Sequence, residues 1–170
     1  MMDASREVGV VVRRRSVDNP WVDQFWSPVM ILEDVPATPP WTALSAEADA
    51  ITYYAGSASI DLYNPDTANY RDNLANGEPL IWVALRRRDG AAELELTKVT
   101  ADPTEGEALF ESGCEVIGTV PMPPEVAAWI AAFVDRFHVE HVFHKRKRDR
   151  ARGERPRVPG ARSDQGAGRP

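Results

Sequence analysis

The chain has 170 residues, 43% of them hydrophobic, and a formal net charge of −6. Residues 1–144 hold 10 Lys/Arg against 23 Asp/Glu and residues 145–170 hold 10 against 3, so nets of −13 and +7 sum to −6. The split separates an acidic body, enough for one domain (residues 1–144) and short for two, from a basic tail (residues 145–170), and it argues against a body that itself grips a polyanion.

The first residues are polar and mixed in charge, unlike a secretory leader. The longest apolar run, residues 126–134, is nine residues long, where a bilayer span takes about 20. The expectation is a cytoplasmic protein. Cys114 is the only cysteine, which excludes an intrachain disulfide. Its neighbours Glu111 and Glu115, and a helix C-terminus just before it, disfavour a nucleophile, so it is read as a buried structural thiol.

In chain order, residues 8–12 are a β-branched run ending in Arg13, Arg14 and Arg15, and are read as a strand. Asn19, Pro20 and Trp21 signal a loop. Residues 29–32 are continuously apolar, the pattern of a strand buried on both faces. Pro36, Pro39 and Pro40 cannot extend a ladder, so that stretch is a loop anchored by Trp41. Residues 51–55 and 58–63 flank Gly56 and Ser57, a two-residue connection suited to a type II′ hairpin. Residues 80–87 and 91–100 flank Asp89 and Gly90, a stronger hairpin signal. The apolar stretch 80–85 belongs in the middle of a sheet, whereas residues 93–96 alternate as a strand with one wet face.

Helices come late. Asp102, Pro103 and Glu105 supply a cap, a first-turn proline and a first-turn carboxylate, and Gly113 supplies a stop. A short strand over residues 115–120 follows. Pro123, Pro124 and Glu125 then open the main helix, whose apolar stripe is Val126, Trp129, Ile130, Phe133, Val134 and Phe137. After Arg148 the chain is rich in Gly, Pro and Arg, a composition that cannot offset its own ordering entropy and predicts disorder. The expected fold class is α+β: a mainly antiparallel sheet of about six strands, with one short and one long C-terminal helix packed on it.

Candidate chemistry is sparse. His138, His141 and His144, with Glu140 among them, suggest a metal site. Helical spacing spreads the three over an arc too wide for one tetrahedral ion, so His138 and His141 remain the only weak metal candidates and structural histidines are the expectation. Arg13 and Arg15, with Arg86 and Arg88, end two apolar strands. Parallel neighbouring strands would bring both triplets to one edge, fit to hold a phosphate or carboxylate; otherwise they are charged strand ends. Lys145, Arg146, Lys147 and Arg148 open a basic run that suits nucleic acid, an anionic membrane or an acidic protein partner, although no aromatic is interleaved for base stacking. Tyr70 and Asn73 form the one polar pair read as a binding candidate, with turn closure before Gly77 as the alternative for Asn73. Asp61, Asp66 and Asp72 are scattered carboxylates that make no acid/base dyad. The sequence carries no phosphate-binding loop, dinucleotide fingerprint, nucleophile elbow or Cys-x-x-Cys pair, and no catalytic residue or cofactor is assigned.

One ordered set of segments carries a resemblance. It comprises Pro20, Trp21 and Trp26 before a Val-rich strand, residues 70–74, the apolar residues 80–86, and residues 120–123 leading into 126–134, closed by the basic residues 145–149. In this order, over roughly residues 8–150, they resemble a family of uncharacterised proteobacterial proteins. The genes of that family often lie beside those for molybdenum-dependent formate dehydrogenase and its sulfur-transferring accessory protein. The resemblance implies a non-enzymatic accessory role in formate dehydrogenase and molybdenum cofactor maturation, with the dehydrogenase or that accessory protein as partner. Some members bear the label molybdopterin-guanine dinucleotide biosynthesis protein A, which implies an alternative: an enzyme that binds a pterin or nucleotide. Such a guanylyltransferase has a Gly-rich N-terminal loop, and here the first strand runs straight into Arg13. Nucleic-acid binding through the basic tail is the third reading.

Overall fold

Val8, Val10 and Val12 alternate along the first strand and are all completely buried. That stripe organises the first of two sheets. The computed structural model describes residues 2–21, 24–88 and 94–138. The chain divides into a unit of Met1–Val139 and a second unit of Glu140–Pro170, which lies outside the described residues. The expected disorder from residue 149 onward lies outside them too.

In the first sheet, β1 (Ala4–Ser16) pairs on one side with β2 (Gln24–Leu32) and on the other with β4 (Ala50–Leu62), while β3 (Thr42–Ala46) adds to the far side of β4. In the second, β5 (Leu80–Arg87) is central between β6 (Leu94–Thr100) and β7 (Val116–Pro121). Every pairing is antiparallel. Three α-helices complete the described part of the fold: α1 (Thr67–Ala75), α2 (Pro103–Leu109) and α3 (Pro124–Phe137). One hydrophobic core joins Val8, Val10 and Val12 of the first sheet to Ile81, Val83 and Leu85 of the second, and to Val126, Ile130, Phe133 and Val134 of α3. The fold is therefore α+β and antiparallel, as expected. Among the described residues it has seven strands in two sheets, not about six in one, and a third helix in mid-chain.

Three local expectations are corrected. Gly56 and Ser57 do not turn a hairpin: β4 runs unbroken through them. Val10 pairs with Gly56 and Val11 with Tyr54, so Ala55 is an extra residue, and Gly56, at φ 116, takes a conformation open to glycine at a β-bulge. The apolar residues 29–32 are not buried on both faces: Ile31 is buried, while Met30, pointing to the opposite face, is 48% exposed. The β5–β6 hairpin forms, yet Arg87 pairs with Leu94, two residues beyond the Ala92 that a two-residue turn would set. That turn itself lies outside the described residues.

The continuous apolarity of β5 has a simple cause. Ile81, Val83 and Leu85 face the core, while Trp82 on the other face is covered by Gly106 of α2. Asp102 caps α2 by accepting from the Thr104 N–H at 2.8 Å. The helix closes at Leu109, a turn earlier than expected, and Gly113 then takes φ 78. At α3, the stripe predicted from the sequence is the buried face, with Trp129 and Phe137 packed at its margin.

α1 has no apolar stripe to announce it. Its buried positions, at i, i+3 and i+6, are Thr67, Tyr70 and Asn73, and two of these are polar, so hydrophobic periodicity is silent there.

Candidate functional site

Where the first sheet runs past the core, its residues turn aromatic. Arg14 pairs with Trp26 in the β1–β2 ladder, and its guanidinium carbon lies 5.7 Å from the Trp26 ring and 5.5 Å from that of Tyr53. Trp41 joins them edge-on, 5.8 Å from Trp26 and 6.1 Å from Tyr53 between centroids. Such cation–π contacts contribute about 0.5–2 kcal/mol according to how far they are desolvated. Trp41 is also the one non-glycine among the described residues with positive φ, at 68°. For so bulky a residue this costs on the order of 1–3 kcal/mol, and such strain persists where the surroundings fix the residue, most often at functional sites. Here the Trp41 N–H donates to the Tyr54 carbonyl and its ring is braced by two others.

Beside this corner two depressions share Arg88 and Glu95. One, of about 340 Å³, is lined further by Trp41, Ala55, Ser57, Leu94 and Leu96. The other, of about 610 Å³, is lined further by Arg86, Arg87, Gly113 and Glu115. Two of the three arginines face carboxylates. Arg88 donates to both oxygens of Glu95, at 3.2 and 2.9 Å, and Arg87 donates to Glu115 at 3.2 Å. Among the described residues Arg86 has no ion pair and reaches only the Ser112 carbonyl, at 3.4 Å. Ser57 donates to Glu7 at 2.7 Å, which leaves its oxygen able to accept.

The two arginine triplets do not meet as a parallel pair. β1 and β5 belong to different sheets, so the condition that would have gathered Arg13, Arg15, Arg86 and Arg88 at one edge is not fulfilled. Arg13 reaches Thr52 at 3.5 Å, and Arg15 is exposed at the strand end. Lys145, Arg146, Lys147 and Arg148, with His141 and His144, lie outside the described residues.

His138 sits just past the end of α3, with an extended backbone, so α3 itself does not carry the histidine spacing onward. Arg71 lies 2.9 Å from its Nε2 and Thr67 Oγ1 lies 3.1 Å from its Nδ1. A guanidinium can only donate, so Nε2 accepts and Nδ1 carries the hydrogen offered to Thr67. Both ring nitrogens are thereby engaged in tying α3 to α1. Among the described residues no group of three His, Cys, Asp or Glu is placed to hold a metal ion. Cys114 is half-buried and accepts from the Ser112 hydroxyl at 3.3 Å.

Tyr70 and Asn73 are both buried within the α1 packing. The Tyr70 oxygen accepts from the Tyr63 N–H at 3.0 Å, and burial above all raises its phenol well beyond the usual value. The Asn73 amide nitrogen donates to the carbonyls of Leu80 and Ala101, at 2.8 and 2.9 Å, and its oxygen accepts from Leu80 N–H at 3.0 Å. Its side chain is spent on the ends of β5 and β6.

Asp66, at the N-cap of α1, makes no capping bond. Burial first, then the charges of Asp102 and Glu105, raise its carboxyl above the ordinary value. A raised carboxyl supports the fold below its unfolded-state pKa, and that support is lost as pH rises through the folded value. Asp66→Asn removes the charge and, since the Asp66 side chain makes no capping bond, sacrifices none. It is expected to raise the Tm at neutral pH and to lose that gain below the carboxylate range, as thermal melts across pH would record. An equal gain at every pH would contradict this origin.

The sequence reading missed Trp41, Ser57, Glu95 and Glu115 as neighbours of Arg86 and Arg88. The expected two-residue turn would set Arg86 opposite Glu93, and only the observed register sets it opposite Glu95, so the Glu95 partnership was not recoverable from hairpin pairing. Nothing local marks the approach of Trp41 or Glu115.

The described residues thus form a two-sheet α+β domain bearing an aromatic-walled, arginine-rich cleft. Residues 7–147 match the model of DUF3305, described as a protein of unknown function, and the chain belongs to that family. No curated protein and no solved structure matches the chain. No helix among the described residues is long and apolar enough to cross a membrane.

Proposed function

We propose that this chain is a cytoplasmic, non-enzymatic accessory protein that acts by docking to a protein partner, namely formate dehydrogenase or its sulfur-transferring accessory protein. The partner comes from the family resemblance and its gene neighbours. The observation that carries docking is the outer strand β2. Phe25 and Met30 stand opposite Arg15 and Val11, on the sheet face turned from the shared core, and are 58% and 48% exposed. Trp21, just ahead of the strand, is 89% exposed. Half-exposed aromatic and Met side chains beside arginines are what a protein interface enriches.

The test is recovery of the full chain from its native host, as wild type and as a Phe25→Asp/Met30→Asp variant. Both positions are exposed, so the variant folds, and its Tm verifies that. A dehydrogenase subunit or the accessory protein should come with the wild type and fall by about tenfold or more in the variant. If neither protein accompanies the wild type, or the wild type and the variant recover it equally, the docking reading fails.

A further inference from the structure

We propose that the cleft running from Trp41 to Arg86 binds a flat heteroaromatic ring bearing an anionic group, of the size and kind of a nucleoside monophosphate. The site is independent of the docking reading, since neither Phe25 nor Met30 lines it.

Three observations converge. The first is the ring wall. Trp41 is held at φ 68 and braced by Trp26 and Tyr53, so its indole is fixed before any ligand arrives. A fixed wall spares the ordering cost of stacking. With Leu96 and Ala55 it lines an open depression of about 340 Å³, within the size range of small-molecule sites.

The second is the charge beyond it. Among the described residues, the adjoining depression presents three guanidinium groups, Arg86, Arg87 and Arg88, and its carboxylates are those of Glu95 and Glu115. Arg86 is the group that makes no ion pair among the described residues. Guanidinium groups suit the oxygens of phosphate or carboxylate.

The third is the way the two halves join. Arg88 and Glu95 line both depressions, and both side chains are largely exposed. An exposed ion pair holds weakly, so Arg88 can exchange Glu95 for an incoming anion at little cost. The ring then lies against Trp41, and Ser57 can accept from an exocyclic amino group.

The experiment is calorimetric titration of the full chain with adenosine monophosphate and guanosine monophosphate, alongside the two nucleosides and inorganic phosphate. At least one monophosphate should bind, on the order of tenfold or more tighter than its nucleoside or phosphate alone. Arg86→Ala, at an exposed position, should fold normally and weaken the monophosphate by about tenfold without altering the nucleoside. Trp41→Ala should weaken nucleoside and monophosphate alike. Should that variant unfold, the Arg86→Ala comparison still decides. The proposal is overturned if no monophosphate binds at millimolar concentration, if phosphate alone binds as tightly, or if Arg86→Ala binds like wild type.

Discussion

Gly106→Ala is expected to destabilise the domain strongly, against the usual sign of that substitution. In a helix interior, exchanging Gly for Ala ordinarily gains about 1 kcal/mol. Gly106, however, is buried in α2 directly over Trp82 of β5. Ordinary contact lies at 3.4–4 Å, and a Cβ on Gly106 would fall about an ångström inside that from the indole ring. The nearest atoms belong to a broad, rigid ring, not to the far end of a flexible chain. Either α2 lifts from the sheet or Trp82 leaves its rotamer, and overpacking of this kind costs about 1–3 kcal/mol, occasionally more. A urea titration should show a lower midpoint with an unchanged slope. Combining it with Trp82→Leu should recover much of the loss, since removing the ring removes the clash. A Gly106→Ala protein as stable as wild type would mean that α2 does not rest on Trp82.

That contact also marks the limit of what the chain discloses by itself. Within elements the sequence is explicit. The alternation of Val8, Val10 and Val12, the stripe on α3, and the Asp102–Pro103–Glu105 start of α2 all appear where their local chemistry puts them. Local patterns fix faces and caps because those are decided within a few residues. They do not fix which surfaces meet. The Gly56–Ser57 pair reads as a turn because glycine opens both turns and bulges, and only the pairing of β1 along the whole of β4 selects the bulge. β3 is made of Thr, Ala, Leu and Ser, all exposed, and becomes a strand only because β4 offers it a ladder. The cleft follows the same rule. Arg86, Arg87 and Arg88 are conspicuous in sequence, but the carboxylates that answer them come from β6 and from the approach to β7, and the indole from a loop before β3.

The second large effect is expected at Asn73. It looks like a binding residue in sequence, and in the structure its amide holds the ends of two strands: Leu80 through both N–H and carbonyl, and Ala101 through its carbonyl. The residue is buried, so water cannot replace these bonds if the amide is removed. Asn73→Ala leaves one donor and two acceptors without their partner. Each such orphan costs about 1–3 kcal/mol, and because the three relax together a total of about 2–4 kcal/mol is expected. Asn73→Asp separates the donor function from shape. The new carboxyl still accepts from Leu80 N–H, but when ionised it faces two carbonyl oxygens with nothing to donate. When protonated it can donate once. Burial and the two carbonyls both disfavour its charge, so its folded pKa is raised. The loss should therefore be smallest in acid and grow as pH rises through that value. Urea titrations of both variants at acid and neutral pH measure this directly. If Asn73→Asp is equally destabilised at both, the amide donors do not hold the strand ends. If Asn73→Ala matches wild type, the side chain is free for a ligand after all, and Tyr70 with Asn73 returns as a binding pair.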